Sequence, residues 1–153
     1  MPYDPVMIQP FRDELTRAGF EELTTAAAVD AALGQKGTAL LVVNSVCGCA
    51  AGQARPGVVL AVKRGARADR HLSVFAGQDL EATARARAYF EGYAPSSPNV
   101  VLLKDGKVVF ILQRYQIQVM DAEQIAAKVL SAFDEKAVAE AKAPALDLPA
   151  VRG

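Results

Sequence analysis

The chain of 153 residues carries 17 basic and 17 acidic side chains, so its formal net charge at pH 7 is zero, and 52% of its residues are hydrophobic. This balance gives no indication of nucleic acid or an anionic membrane surface as the main partner. The length and composition are typical of one domain with a sizeable core, which we expect over residues 1–140. Residues 141–153, with Pro144, Pro149 and few large apolar side chains, predict a mobile tail.

The N-terminal residues indicate the compartment. Residues 1–5, Met-Pro-Tyr-Asp-Pro, have neither the basic region nor the apolar run of a signal peptide, and no segment approaches the length of a membrane span. We therefore expect a cytoplasmic protein with no membrane partner. In that reducing compartment a cysteine pair is more often catalytic or metal-binding than structural.

The first half of the chain predicts two helices and one buried strand. Pro10 is suited to the first position of a helix that Gly19 ends, and a second helix follows from Thr25 to Gly34. The run Thr38 to Asn44 is apolar without alternation, which is typical of a strand buried on both faces of a sheet. The first two elements indicate scaffold, and the strand indicates the centre of an α/β fold.

The only two cysteines of the chain, Cys47 and Cys49, follow this strand and are separated by Gly48. Behind them a helix is predicted over residues 50–61, and Pro56 should kink it. Open α/β sheets hold their chemistry where a central strand passes into a helix. The cysteine pair is therefore the candidate functional site.

The position of the pair favours nucleophilic chemistry. A thiol reacts as its thiolate, and the free N–H groups of a helix N-terminus favour negative charge on sulfur. We expect Cys47, at or before the helix cap, to be the exposed attacking sulfur. Cys49 is then the resolving thiol, and Gly48 gives the backbone the freedom that a bond between the two sulfurs requires.

Two other interpretations of the pair exist. A structural disulfide across a three-residue loop would stabilise the fold by only about 1.6 kcal/mol in the chain-entropy model. A soft-metal site is possible for C-x-C, but the sole histidine is His71 and there is no third cysteine. Redox exchange is favoured, and a metal-binding module of the same fold stays as the alternative from a different class.

The middle of the chain predicts a second parallel strand over residues 72–76, with His71 at its edge as a surface residue. Asp79 is suited to capping a helix to about residue 91, in which Leu80, Ala84 and Ala88 share one face. We expect these elements to form the scaffold around the strand that precedes the cysteines.

The last third predicts a hairpin and a final helix. Asp105-Gly106 is a two-residue turn between strands 99–103 and 107–113, and residues 114–119 form a connection. Asp121 with Gln124 is a capping-box pattern. Pro98, just before the hairpin, either merely starts the strand or is a cis proline beside the cysteines, leaving a backbone edge free for an incoming peptide or thiol.

Several segments carry a family resemblance. The active turn lies in Val43-Asn44-Ser45-Val46-Cys47-Gly48-Cys49-Ala50-Ala51-Gly52, and further matching segments are Ala54-Arg55-Pro56, Val74-Phe75-Ala76-Gly77-Gln78-Asp79, Ala82-Thr83-Ala84, Tyr89-Phe90 and Pro95-Ser96-Ser97-Pro98. The order of elements resembles thioredoxin, and the one-residue spacing of the cysteines closely resembles the bacilliredoxins. The matches cover most of residues 11–136.

The resemblance implies a thioredoxin-like three-layer α/β/α sandwich with a mixed central sheet, a C-terminal β-hairpin and an extra N-terminal helix. It implies a thiol-disulfide oxidoreductase that removes bacillithiol from mixed disulfides on other proteins, through Cys47 as attacking thiol, Cys49 as resolving thiol and Pro98 as cis proline. No tightly bound cofactor is implied; bacillithiol or another low-molecular-weight thiol is the co-substrate. A general disulfide isomerase or reductase is the alternative within this chemistry.

The chain departs from the family pattern in two places. After the hairpin it has Tyr115, Gln116 and Gln118 where the family tends to have a histidine and glutamates, and it lacks the additional C-terminal cysteine of some members.

Overall fold

A five-stranded mixed sheet with strand order β1-β3-β2-β4-β5 forms the centre of the protein. The computed structural model describes residues 2–134. The strands are Glu21–Glu22 (β1), Thr38–Asn44 (β2), Arg70–Phe75 (β3), Asn99–Lys104 (β4) and Lys107–Leu112 (β5). Strand β3 runs parallel to β1 and β2, whereas β4 runs antiparallel to both β2 and β5.

Helices cover both faces of this sheet. They are Pro5–Thr16 (α1), Ala26–Leu33 (α2), Arg55–Lys63 (α3), Leu80–Ala88 (α4), Arg114–Ile117 (α5) and Ala122–Ala132 (α6), with a π-helical segment, Ala50–Ala54, before α3. Side chains of α3 and α6 share one core cluster, and side chains of α2 and α4 share the other. The arrangement is the predicted thioredoxin-like three-layer sandwich, with its C-terminal hairpin and N-terminal helix.

Strand β2 lies in the middle of the sheet and divides the core. Leu40 and Val42 belong to the cluster under α3 and α6, and Leu41 and Val43 belong to the cluster under α2 and α4. Because successive side chains of a strand point to opposite faces, an uninterrupted apolar run can serve both clusters. The predicted two-sided burial is confirmed, and it fixes the position of the turn that follows.

Three predicted elements are confirmed near their predicted bounds. Helix α2 is capped by the Thr25 side chain and ends at Gly34. The hairpin turns at Asp105 and Gly106, which both have positive φ, and the last helix has the predicted capping box at Asp121. In each case the local side chain supplies the hydrogen bond or the backbone freedom that the boundary needs.

The predicted start of the first helix was wrong. Helix α1 begins at Pro5, one residue after its cap Asp4, and Pro10 lies inside it. Both prolines are compatible with the helical φ, and Pro5 at the first position satisfies the N-terminal preference that we had assigned to Pro10. The helix therefore extends further towards the N-terminus.

The irregularity predicted at Pro56 lies before it rather than at it. Pro56 occupies the second position of α3, and the preceding turn over Ala50–Ala54 is π-helical. Because proline has no N–H to donate to the carbonyl four residues earlier, the regular hydrogen-bond ladder is interrupted there. The helix that follows the cysteines is thus composed of two segments.

Leu80, Ala84 and Ala88 share one face of α4 as predicted, and that face is exposed, because the helix buries Ala82, Thr83 and Ala86 instead. The prediction that His71 is a surface residue was wrong. His71 is half-buried, accepts a hydrogen bond from the backbone N–H of Ala68 and contacts the ring of Phe20. Burial lowers the pKa of this histidine, with a smaller contribution from the positive charge of Arg67.

The predicted mobile tail at residues 141–153 lies outside the described residues. Within residues 2–134, none of the helices has the length and apolar character needed to cross a membrane.

Candidate active site

The cysteine turn follows β2 directly and begins the helical segment of the next element. Gly48 and Cys49 are already helical, and the carbonyl of Cys47 accepts hydrogen bonds from the backbone N–H groups of Ala50 and Ala51 at 3.1 and 3.2 Å. Cys47 therefore occupies the cap position at the helix start. This is where the sequence had placed it, between a central strand and a helix.

The two thiols are in direct contact. Their Sγ atoms are 2.8 Å apart, both residues are free cysteines and both are half-buried. The side chain of Cys49 packs against the core cluster under α3 and α6. The pair therefore lies at the protein surface with one sulfur backed by the core.

The two sulfurs differ in acidity. Burial alone would raise the pKa of Cys47, but hydrogen bonds from the thiol of Cys49, the hydroxyl of Ser45 and two backbone N–H groups at the helix start lower it below its ordinary value. Burial and the neighbouring sulfur of Cys47 raise the pKa of Cys49, and the charge of Arg114 offsets only part of this rise. The first proton is therefore lost from Cys47.

A buried arginine supports the backbone ahead of the cysteines. Arg55, only 1% exposed, donates from Nη1 to the side-chain oxygen of Asn44 and to the carbonyl of Ser45, both at 2.7 Å. The same oxygen of Asn44 accepts the backbone N–H of Ser45, and the hydroxyl of Ser45 accepts the backbone N–H of Cys47 at 3.2 Å. A connected polar network therefore extends from the interior to the backbone of Cys47.

Pro98 lies at the same end of the sheet as the cysteines. Val43 pairs with Asn99 across the antiparallel β2 and β4, so Pro98 precedes β4 where Asn44 ends β2. The Ser97–Pro98 peptide bond is cis, which confirms the predicted geometry, and the Pro98 side chain is buried. Whether Pro98 takes part in the reaction stays a prediction.

Two arginines hold the backbone that leads into Pro98. Arg87 donates to the carbonyl of Ser96 at 2.8 Å, and Arg114 donates to the carbonyl of Ser97 at 3.4 Å. From the sequence, Arg114 was expected in a plain connection and Arg87 had no predicted role. Neither contact could be predicted, because each depends on how α4 and α5 meet the loop before Pro98 in the folded chain.

The segment after the hairpin is helical rather than a plain connection. Helix α5 begins after Gln113, and the side chain of Gln53 donates to the carbonyls of Ile117, Gln118 and Met120 at 3.0–3.2 Å. This amide ties the π-helical segment behind the cysteines to the residues that end α5. The two regions that carry Cys49 and Arg114 are thereby fixed against each other.

The donor set around the cysteines is limited. Within residues 2–134, no group of three or more histidine, cysteine, aspartate or glutamate side chains is close enough to hold a metal ion. The site consists of two thiols of unequal acidity, at the same end of the sheet as the loop of Ser96 and Ser97. Such a pair can exchange disulfide bonds, since a thiolate attacks and a second thiol lies within reach.

A thioredoxin-like sheet that carries two contacting thiols at this position defines the class: the protein is a thiol-disulfide oxidoreductase. A family model described as disulphide isomerase matches residues 3–137. The bacilliredoxin of Koribacter versatilis is 52% identical over 134 residues, which is 87% of this chain and 92% of the relative. A bacilliredoxin of Bacillus cereus is 51% identical over 129 residues, covering 84% and 90% of the two chains.

The chain belongs to the bacilliredoxin family, the thiol-disulfide oxidoreductases that remove bacillithiol from protein mixed disulfides. Among solved structures, a thioredoxin of Entamoeba histolytica is similar at 14% identity with a TM-score of 0.48, covering 71% of this chain and 98% of that one.

Proposed function

We propose that Cys47 attacks the bacillithiol sulfur of a mixed disulfide on a target protein. A bond forms between Cys47 and the small thiol, the bond between the small thiol and the target breaks, and the target leaves as a thiolate that takes up a proton. The observation that carries this assignment is the unequal acidity of the two contacting thiols, with the pKa of Cys47 lowered and that of Cys49 raised. At a pH between the two values, Cys47 is the nucleophile available.

In the second step Cys49 attacks Cys47 and releases the small thiol. The product is an internal disulfide between Cys47 and Cys49, and the departing small thiolate takes up the proton of Cys49. The 2.8 Å separation of the sulfurs supports this step, because no rearrangement of the backbone has to bring them together first. A further thiol or dithiol reductant has to supply two electrons to restore the pair.

Pro98 acts as a positioning residue in this proposal. Its side chain is buried and its nitrogen carries no N–H. The pairing of Val43 with Asn99 places the Ser96–Ser97 backbone that precedes it at the end of the sheet where the cysteine turn begins. The two arginine contacts to this backbone support the same role. The incoming disulfide would lie between this segment and Cys47.

The partners in this proposal are proteins that carry mixed disulfides with bacillithiol or another low-molecular-weight thiol, and no tightly bound cofactor is needed. We place the reaction in the cytoplasm, where a reducing environment returns the pair to two thiols. General disulfide isomerase or reductase activity is the second candidate, since the matching family model is described as disulphide isomerase.

Two single-cysteine variants test the roles. Incubated with a protein carrying a bacillithiol mixed disulfide, Cys49→Ser should retain the small thiol on Cys47, because no second thiol can release it. Cys47→Ser should show no reaction, because the remaining thiol has the higher pKa. Mass spectrometry of the intact protein measures the adduct, and the reverse pattern would show that Cys49 is the nucleophile.

A control separates the alternative classes. The wild-type protein is reduced and analysed by native mass spectrometry before and after the reaction. An internal disulfide after the reaction supports exchange. A metal ion that protects both thiols from alkylation would instead support the metal-binding module.

A further inference from the structure

A depression of about 530 Å³ opens beside the active site, and neither cysteine lines it. Its lining residues are Gly92, Tyr93, Ala94, Pro95, Ser96, Gln113, Arg114, Tyr115 and Gln118. Ser96 and Arg114 connect it to the reaction centre, since Ser96 precedes the segment that leads into Pro98 and Arg114 donates to the carbonyl of Ser97. The depression therefore adjoins the position that an incoming disulfide would occupy.

Arg114 gives this depression its charge. It is the single charged side chain among the described residues that line it, and no carboxylate of residues 2–134 forms an ion pair with it. Within the same described residues, its guanidinium forms one hydrogen bond, to the carbonyl of Ser97, which is long at 3.4 Å. A guanidinium has five N–H donors arranged to suit a carboxylate, so most of this capacity is free for a ligand.

The rest of the lining suits a small polar molecule. Tyr93 and Tyr115 are 40% and 64% exposed, and Gln113 and Gln118 add neutral amide groups. Exposed tyrosines offer both an apolar face and a hydroxyl, and amides can donate and accept hydrogen bonds. With no acidic side chain in the lining, nothing there repels an anion.

The positive charge also reaches the sulfur atoms. The guanidinium of Arg114 is close enough to Cys49 to favour its ionised form, although burial and Cys47 keep the pKa of Cys49 above its ordinary value. A ligand held at Arg114 is thus near the thiols. A small thiol joined to Cys47 by its sulfur could extend its remaining groups into the depression.

We propose that the depression is the binding site for the carboxylate-bearing part of the small thiol, with Arg114 as the residue that recognises its negative charge. The proposal rests on the proposed function, because it concerns the adduct that Cys47 receives. During transfer the small thiol's sulfur joins Cys47 and its carboxylate pairs with Arg114, while the target protein leaves as the thiol. Arg114 thereby recognises the small thiol and not the protein that carries it.

The test compares adducts of different charge on one uncharged carrier peptide. The peptide carries a mixed disulfide with glutathione, which has two carboxylates, with neutral 2-mercaptoethanol or with cationic cysteamine. Transfer to Cys47 is followed in the Cys49→Ser background by the mass of the adduct and the release of the peptide. For each adduct, the rate constant of a variant is divided by that of the parent, so that differences in intrinsic reactivity between the adducts cancel.

Arg114→Gln should slow the transfer of glutathione about fivefold, as expected for a partly exposed charge pair, and leave the 2-mercaptoethanol rate unchanged. The cysteamine rate should be unchanged or higher. Arg114→Lys should retain most of the preference because it retains the charge. Raising the ionic strength should reduce the effect on glutathione, since salt screens exposed charges.

Arg67→Gln is the matched control. It removes the same charge from an exposed arginine that precedes β3, at the opposite end of the sheet from the cysteines, and it should change none of the three rates. Equal slowing of all three adducts by Arg114→Gln, or an unchanged glutathione rate, would overturn the proposal. If the parent transfers none of these three adducts but does accept bacillithiol from its mixed disulfide, the binding-site proposal is wrong and the proposed function stands. If it does not accept bacillithiol either, the proposed function is wrong and the binding site falls with it.

Discussion

Cys47 and Cys49 have the same side chain and differ only in the groups that surround their sulfur atoms. Cys47 accepts hydrogen bonds at the start of a helix, where orphaned N–H groups favour negative charge, while Cys49 packs against the core. Because the two cysteines are two residues apart at the start of a helix, the sulfur of Cys47 receives the hydrogen bonds and the side chain of Cys49 contacts the apolar core. The lower pKa of Cys47 thus follows from where the backbone places its sulfur, and the proposed order of attack depends on it.

The hydroxyl of Ser45 is one of these donors, and its removal has a predictable effect. In the Cys49→Ser background, Ser45→Ala should raise the pKa of Cys47 and move its pH–rate profile for alkylation by iodoacetamide to higher pH. At a pH below the midpoint of the parent profile, alkylation should be about threefold or more slower, since a smaller fraction is thiolate. Well above both midpoints the two rates should converge.

Ser73→Ala supplies the control for this experiment. Ser73 is also buried, at 3% exposed, but it lies in β3 and its hydroxyl is not among the groups that hydrogen-bond to the sulfur of Cys47. The control profile should coincide with the parent profile. Identical midpoints for Ser45→Ala and the parent would show that the hydroxyl does not stabilise the thiolate.

The sequence revealed the cysteines but not the charged residues around them. Two cysteines flanking one glycine after an apolar strand are recognisable because the whole pattern is local. Arg55, Arg87 and Arg114 are not recognisable in this way, because a charged residue in a helix normally faces solvent. Their contacts arise only when a helix meets a loop or another helix in the folded chain.

The helix that begins at the cysteines is held by a close contact between α3 and α6. Gly57 lies in α3, and a Cβ built there would be 2.7 Å from both Cβ and Cγ2 of Ile125. The backbone carbonyl of Ala122 would be 3.2 Å away. Only glycine allows the two helices to approach this closely.

Gly57→Ala should therefore destabilise the protein although alanine favours helices. We expect a loss of about 1–3 kcal/mol in the free energy of unfolding, because the branched carbon of Ile125 belongs to a packed core and has little room to move. Urea denaturation followed by circular dichroism measures the loss. The slope of the free energy against urea should stay unchanged if only the native packing is affected.

Gly52→Ala provides the comparison within the same stretch. Gly52 is exposed in the π-helical segment, and a Cβ there would have nothing within 4 Å. This variant should be as stable as the wild type or more stable by up to about 1 kcal/mol, since alanine restricts the unfolded chain. An equally stable Gly57→Ala variant would mean that α3 and α6 can separate without loss.

The elements themselves were predicted where their boundaries are set by nearby residues. Thr25 and Asp121 cap their own helices, and Asp105 and Gly106 make their own turn. The exposed position of Leu80 could not be predicted, because the face that a short alanine-rich helix buries depends on the layer that covers it. The π-helical turn was missed because it has no periodicity of its own.

At the scale of the whole molecule, the fold was predictable because its centre is a strand with an unmistakable pattern. What the sequence could not indicate is how α1 reaches the active site. Arg55 donates from Nε to the carboxylate of Glu14 at 2.5 Å, and its guanidinium lies 4.8 Å from the ring centroid of Phe11. Glu14 of the N-terminal helix therefore compensates the buried positive charge of Arg55. The Nη1 group of the same arginine donates to the Asn44 side chain and the Ser45 carbonyl, ahead of the cysteine turn.

Glu14→Ala should remove this compensation. Arg55 would remain buried at 1% exposed with no carboxylate partner, and its Nη2 already lacks a hydrogen-bond partner in the described structure. Leaving a buried charge without its partner is costly, but the Glu14 side chain is 44% exposed and water can partly replace it. We therefore expect a loss of about 1–2 kcal/mol in the free energy of unfolding by urea, less than for a fully buried pair. Glu14→Gln should lose less, because an amide oxygen still accepts the hydrogen bond.

The neighbouring Asp13→Ala variant distinguishes this loss from a general effect on α1. Asp13 pairs with Arg17, whose side chain is 81% exposed, across 3.6 Å. Such surface pairs contribute about 0.5 kcal/mol or less. If Glu14→Ala loses no more free energy of unfolding than Asp13→Ala, water compensates the charge of Arg55 as well as Glu14 does. In that case α1 is not needed to support the cysteine turn. A larger loss for Glu14→Ala means that the N-terminal helix stabilises the network behind Cys47.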